Sequence, residues 1–424
     1  MECKIKRILI KSLWGVKDIS TDFFPDVNIF IGSNGSSKTT FLNLLEAVLV
    51  CDIEIFRNIY FDSITIDFDL QENSQLVVNR VNDEDICTIK YLFADGSSYD
   101  IPCIDSILRP YRGVSSKYRE TFFALKERLA SITNISWLSI NRDNLSYNDL
   151  DRNRDYVDRI RNMVDYKLID LIRSLVGYQL QLESEANRNA NKFKEEVLSL
   201  MLFNESFDKY NFDNIARFEL ADADQMRRDL YRAFNYLGVV KDKKDLINRH
   251  IQQIKDVITK VTKQQQSIEF DDLLVLSLIN RTLSIIEISK EHEKNTNAIF
   301  APMELFWKCL KRFMPNKEFN LNNDKQVLLK ESSNNIEIDI TSLSSGEKQL
   351  FILLAEALLQ KGVNYLFIAD EPELSLHIDW QRKILAELLN LNPNSQIIVA
   401  THSPEIAGNF PSNIINMQDI ICYE

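Results

Sequence analysis

Nine residues, Gly32-Ser-Asn-Gly-Ser-Ser-Lys-Thr-Thr40, stand between a short apolar run, Val27-Asn-Ile-Phe-Ile31, and a stretch in which Phe41, Leu44, Leu45 and Val48 share one helical face. The run ends at a glycine, as a buried strand should, and the residues beyond the loop have helical period. The spacing follows G-x-x-x-x-G-K-[ST]. In that pattern backbone N–H groups converge on phosphate, the lysine neutralises charge and the hydroxyl residue takes Mg2+. Gly32, Ser33, Asn34, Gly35, Ser36, Ser37, Lys38, Thr39 and Thr40 therefore read as a phosphate loop, with Lys38 on the β/γ-phosphates and Thr39 on the metal. Ser37 stands where the pattern has its last glycine. A residue with a Cβ is tolerated there only if its φ allows it.

The loop belongs to a chain of 424 residues, two to three domains' worth of sequence. A formal net charge of −12 argues against a broad basic footprint for nucleic acid and leaves room for one local groove. The cysteines, Cys3, Cys51, Cys87, Cys103, Cys309 and Cys422, lie far apart without CxxC or zinc spacing. They read as reduced thiols of a cytoplasmic protein. No apolar run reaches the roughly eighteen residues of a membrane span. The N-terminus lacks the apolar core of a signal peptide, so no membrane association is expected.

Residues 5–31 read as two strands around a turn, the first carried by Ile8, Ile10 and Leu13. Residues 60–102 alternate apolar and polar positions, as in Ile64-Thr-Ile-Asp-Phe68, Leu76-Val-Val-Asn79 and Thr88-Ile-Lys-Tyr-Leu-Phe93. That pattern predicts an antiparallel sheet with hairpins. Trp137-Leu-Ser-Ile140 reads as a further strand. Val157, Ile160, Val164, Leu168, Leu171, Leu175, Tyr178 and Leu182 then recur at near-heptad spacing, which predicts one long amphipathic helix. Shorter stripes follow on Ile247, Ile251, Ile254, Ile258 and Val261, and on Leu276, Ile279, Leu283 and Ile286. They fit a short antiparallel coiled coil and an ordinary helical bundle equally well. Strands return at Gln326-Val-Leu-Leu329 and Ile336-Glu-Ile-Asp-Ile340.

Three further segments lie near the end of the chain. Asp370-Glu371 closes the apolar strand Tyr365-Leu-Phe-Ile-Ala369. Carboxylates at such a strand end lie beside the phosphate loop of a parallel sheet. Asp370 suits Mg2+, and Glu371 suits orienting or deprotonating an attacking water. Leu343-Ser-Ser-Gly-Glu347 reads as a helix start, with Ser344 as the cap and Glu347 closing a capping box. The amides of a helix N-terminus also suit an anion. His402 follows the strand Gln396-Ile-Ile-Val-Ala400.

With Asp370-Glu-Pro-Glu373 and Leu376-His377, these segments resemble the ABC-type ATPases of the SMC, RecF and OLD-like branch. The resemblance covers roughly residues 1–140 and 320–424. It implies an α/β ABC-type P-loop ATPase head, a mixed sheet with helices plus an antiparallel β lobe, interrupted by a helical or short coiled-coil insertion. The expected parts are residues 1–145 and 316–424 for the head and 146–315 for the insertion. It also implies that Ser344 and Gly346 reach the γ-phosphate held by the opposite subunit. Ser345 replaces a family glycine and Glu347 the family glutamine. His402 corresponds to the switch histidine that senses the γ-phosphate. His377 is expected at intersubunit contacts rather than in catalysis. Gln71 and Gln75 are candidates for the Q-loop glutamine by location only. Arg142 is a solvated turn residue or an interfacial or phosphate-facing arginine, the former favoured, and His250 and His292 are expected on helix surfaces.

The resemblance is nearest to stand-alone anti-phage defence ATPases, such as the ATPase subunits of PARIS and Septu. It implies an enzyme that binds and hydrolyses ATP with Mg2+, slowly in view of Ser37. Its heads would pair as a homodimer or a higher even homo-oligomer. It would act as a nucleotide-gated scaffold and sensor for a TOPRIM-type or HNH-type nuclease or toxin supplied in trans, with a phage protein as trigger. A RecF-like DNA-repair ATPase that clamps DNA remains open, and salt-sensitive DNA binding would mark it. An ABC transporter's nucleotide-binding subunit is disfavoured by the insertion and by His377.

Overall fold

The computed structural model describes residues 4–69, 74–83, 86–103, 116–132, 134–139, 163–202, 223–239, 243–263, 270–321, 327–332 and 336–423. The chain opens with β1 (Ile5–Leu13), β2 (Lys17–Asp22) and β3 (Val27–Ile31), then α1 (Lys38–Val50) and α2 (Ile53–Asn58). β4 (Ser63–Phe68), β5 (Gln75–Asp83), β6 (Ile86–Phe93) and β7 (Ser98–Pro102) precede α3 (Ser116–Ile132) and β8 (Asn134–Ser139). The helices α4 (Met163–Ser199), α5 (Ala223–Tyr236), α6 (Lys244–Lys263) and α7 (Phe270–Phe313) follow. The last part holds β9 (Lys317–Leu321), β10 (Val327–Glu331), β11 (Glu337–Ile338), α8 (Ser345–Leu359), β12 (Tyr365–Asp370), α9 (Ile378–Leu391), β13 (Ser395–Ala400), β14 (Ile414–Asn416) and β15 (Ile421–Tyr423).

The strands divide by hydrophobic pattern. β3, β12 and β13 are almost wholly buried, as strands covered on both faces must be. They lie in a five-stranded sheet of order β14-β3-β13-β12-β8, parallel throughout. β4, with strict alternation, belongs to a seven-stranded antiparallel sheet of order β15-β2-β1-β4-β5-β6-β7. β9, β10 and β11 form a small antiparallel sheet. The expected α/β architecture, with an antiparallel lobe beside the helix-covered sheet, is the one found. All parallel strands point one way, so the loop after β3 and the ends of β12 and β13 meet at one edge of the sheet. There Phe30 and Phe41 pack with ring centroids 4.9 Å apart, seating α1 on β3.

Gln396 ties the two large sheets together. Fully buried on β13, its amide accepts from Ile5 N–H at 2.8 Å and donates to the Ile5 carbonyl at 2.9 Å and the Phe24 carbonyl at 2.8 Å. Gln396→Leu keeps the volume and strands these backbone groups. It is expected to cost about 2–4 kcal/mol, read as a fall in Tm.

Several expectations shift. The first segment holds three strands rather than two, because Ile19 and Thr21 of the short β2 also face inward. Of Ile336–Ile340, only Glu337 and Ile338 are in a strand, and Asp339 caps a 3-10 turn over Ile340–Ser342. Helix α3 was not foreseen; its stripe is only Phe122, Leu125 and Leu129. The strand expected at Trp137–Ile140 spans Asn134–Ser139. Ile140, Val157 and Ile160 lie outside the described residues.

The chain forms two compact units, residues 1–176 with 305–424, and residues 177–304. In the second, Met226 and Leu230 of α5 pack with Ile247, Ile251, Ile254 and Ile258 of α6 and Ile279 and Ile286 of α7. Phe193 and Val197 of α4 meet Ala233 of α5 in a second cluster. His292 is not a helix-surface residue. It is buried, stacked on Phe193 at 4.8 Å, with Asn189 2.9 Å from its Nδ1. Burial lowers its pKa. His250 is half-buried against the Thr282 hydroxyl at 2.8 Å. Among the described residues no helix is long and apolar enough to cross a membrane.

Candidate nucleotide site

The loop after β3 is a wound turn that two left-handed residues make possible, Gly35 at φ +79° and Ser37 at φ +69°. Gly35 adopts this freely. Ser37 carries a Cβ there at a cost on the order of 1–2 kcal/mol. The Ser37 hydroxyl accepts from Lys17 Nζ at 3.2 Å, a link invisible in the local pattern because Lys17 comes from β2. A Cβ on Gly32 would meet Ser36 Oγ at 2.6 Å, so a larger residue there would displace the Ser36 side chain.

Lys38 is 5% exposed. Its Nζ donates to the Gly32 carbonyl at 2.8 Å and lies 2.9 Å from His402 Nε2. The same Nε2 stands 3.5 Å from Glu371 Oε1. Thr39 Oγ1 donates to Asp370 Oδ2 at 2.9 Å. Lys38, Thr39, Asp370, Glu371 and His402, from the ends of three strands, thus form one cluster.

The electrostatics suit a triphosphate and a cation. Burial lowers the Lys38 pKa, against the pull of Glu371 and Asp370. Burial raises Asp370, which Thr39 and Lys38 partly offset. Glu371 is pushed up to about 7, first by burial, then by its hydrogen-bonded neighbour Glu373 and by Asp370. Buried Asp370 Oδ1 has no hydrogen-bond partner among the described residues. A hydroxyl and a carboxylate with an open buried oxygen fit Mg2+, which takes hard oxygen ligands and substrate phosphates. Glu371 has φ +50°, held by its N–H on the Ala400 carbonyl at 2.8 Å. Strain of this kind clusters at functional sites.

A profile of the family described as an AAA ATPase domain matches residues 3–407. The chain belongs to the AAA ATPase domain family. It is similar to the Retron Ec83 probable ATPase of Escherichia coli, 34% identical over 93 residues, which cover 19% of this chain and 17% of that protein. It is also similar to the Retron Vc95 probable ATPase of Vibrio cholerae serotype O1 biovar El Tor, 34% identical over 101 residues, 21% of this chain and 20% of that protein. The matched segments thus span a fifth or less of these relatives' own length. Among solved structures, the Smc head domain with an extended coiled coil from Pyrococcus furiosus overlaps at a TM-score of 0.42 and 17% identity, covering 100% of this chain and 96% of that one. The Smc head with a coiled coil and joint from Pyrococcus yayanosii overlaps at 0.38 and 15%, covering 98% and 95%.

The remaining candidates make contacts of their own. Ser344 caps α8, and Glu347 returns the bond, its Oε2 accepting from Ser344 N–H at 2.9 Å. Lys317 clamps Glu347 at 2.6 Å. Gly346 packs on the Ser375 carbonyl so closely that a Cβ would overlap it. His377 is exposed and caps α9, accepting from Asp379 N–H at 3.3 Å. Gln75 is exposed on β5 and donates to Asp67 at 2.7 Å, within the antiparallel sheet. Gln71 and Arg142 lie outside the described residues.

Proposed function

We propose that this ATPase binds Mg2+–ATP in the Lys38 pocket and hydrolyses it only when a second copy supplies Ser344 and Gly346. Lys38 would exchange the Gly32 carbonyl for β/γ-phosphate oxygens. Thr39 and Asp370 would hold Mg2+, which when bound neutralises charge on the phosphates. Glu371 would orient and deprotonate the attacking water, and His402 would report the γ-phosphate to the end of β13. The observation that carries this reading is the Lys38–His402–Glu371 contact chain beside Thr39–Asp370, with an exposed Ser344 cap bonded elsewhere in its own chain. We assign residues 1–145 and 316–424 to the head and 146–315 to the insertion.

The likeness to two retron ATPases supports an anti-phage setting, in which the paired heads hold a nuclease or toxin until infection. From the sequence segments we also infer a likeness to the PARIS and Septu ATPase subunits. The net charge of −12 supports a protein partner over a DNA clamp.

The test is the mass of the purified protein by light scattering, with and without Mg2+–ATP. A doubling with ATP is expected, and a mass unchanged by ATP rejects the reading. Lys38→Ala should remove charge-assisted bonds and weaken ATP binding about 10–100-fold, measured by equilibrium binding of a fluorescent ATP analogue. It should also leave the mass unchanged with ATP.

A further inference from the structure

Glu373 is 6% exposed and lies two residues beyond Glu371. One of its oxygens, Oε1, accepts from the Thr401 hydroxyl and from Ser403 N–H, the latter at 3.3 Å. These are the residues on either side of His402. Its other oxygen, Oε2, is buried and accepts from no N–H or hydroxyl among the described residues, and the carboxyl interacts with that of Glu371. A buried carboxylate is costly to keep, and such groups need a reason. Packing alone would be served by an apolar side chain.

The surrounding bonds show what the side chain fixes. Ser403 N–H also donates to Thr401 Oγ1 at 2.9 Å, and Ser403 Oγ donates to Gln381 Oε1 at 2.7 Å. Gln381 in turn donates to the Leu376 carbonyl at 3.0 Å. Residues 371–376 and 401–403 are thus laced into one turn pair, and Glu373 is the member that touches both flanks of His402. Glu371, in the first of these turns, is left-handed at φ +50°. Misplacing a reacting group by about 1 Å costs on the order of 100-fold in rate.

We propose that Glu373 is a positioning residue for ATP hydrolysis: through Thr401 and Ser403 it holds His402 in register with Glu371 at the end of the parallel sheet. This rests on the reading of Glu371 as the base.

Steady-state ATPase kinetics test it, with Tm recorded for each variant. Glu373→Ala should lower kcat roughly 100-fold and leave KM for ATP within about threefold. Glu373→Gln keeps an oxygen for Thr401 and Ser403 and should restore kcat to within about fivefold of the parent. Thr401→Val cuts the same link from the other side and should lower kcat at unchanged KM; it carries the test if Glu373→Ala does not fold. The double variant should be no slower than Glu373→Ala by more than about threefold, because both substitutions break one connection. Glu373→Ala at parental kcat, Glu373→Gln as slow as Glu373→Ala, or KM rising in step with the fall in kcat would each overturn the proposal. Glu371→Gln is measured alongside. If it is inert while Glu373→Ala is active, only the positioning role fails. If Glu371→Gln turns over at the parental rate, the base assignment fails and the positioning role with it.

Discussion

Glu371→Gln is expected to stop ATP hydrolysis while ATP stays bound. A general base contributes about 10²–10⁴ in rate, so kcat should fall at least 100-fold. The amide matches the carboxyl in shape, and it replaces a group that burial and two neighbouring carboxyls already press toward its neutral form. Folding stability should therefore be unchanged or slightly higher, which separates lost chemistry from lost structure. With turnover blocked, nucleotide should hold the paired heads together, giving a dimer that outlasts gel filtration in Mg2+–ATP. The measurements are single-turnover hydrolysis and the eluted mass. Hydrolysis at the parental rate would remove Glu371 from the chemistry.

Gly346→Ala is expected to damage the protein even without nucleotide. A signature glycine is usually read as making room for phosphate. In this fold it makes room for the Ser375 carbonyl of its own chain. Ser375 is itself left-handed at φ +73°, and Leu374 N–H bonds back to the Glu371 carbonyl at 3.0 Å. A methyl group at 346 must therefore push the turn that begins at Glu371. Overpacking costs typically about 1–3 kcal/mol, so Tm should fall in the nucleotide-free protein. Displacement of the base should reduce kcat roughly 100-fold. An unchanged Tm without ATP would mean that the glycine serves only the phosphate.

What was legible in the sequence was what local order encodes. The phosphate loop shows in Gly32 to Thr40 because strand, turn and helix are contiguous. Asp370 shows because an apolar strand ends on it, and the Ser344–Glu347 cap because its spacing is a helix start. What was hidden depends on distant partners. Glu373 looks like any surface acid until Thr401, 28 residues on, bonds to it. Gln396 looks misplaced within an apolar strand until Ile5 is found beside it. The strands β2 and β15 are short pieces whose pairing, Ile19 with Ile421, joins opposite ends of the chain. His292 reads as a surface residue because its stacking partner Phe193 comes from another helix. The order of the parallel sheet, with β13 between β3 and β12, is also non-local. It is what sets His402 between Lys38 and Glu371.

The central claim is that each pocket is completed by the second molecule, and mixing two inactive variants tests it. Lys38→Ala removes the pocket, and Ser344→Arg blocks the signature. In a mixed pair, one site carries both lesions and the other carries neither. An equimolar mixture should regain ATPase activity, up to about a quarter of the parent's, since half of random pairs hold one intact site of two. A mixture as inactive as its components, with both variants folded, would contradict the shared site.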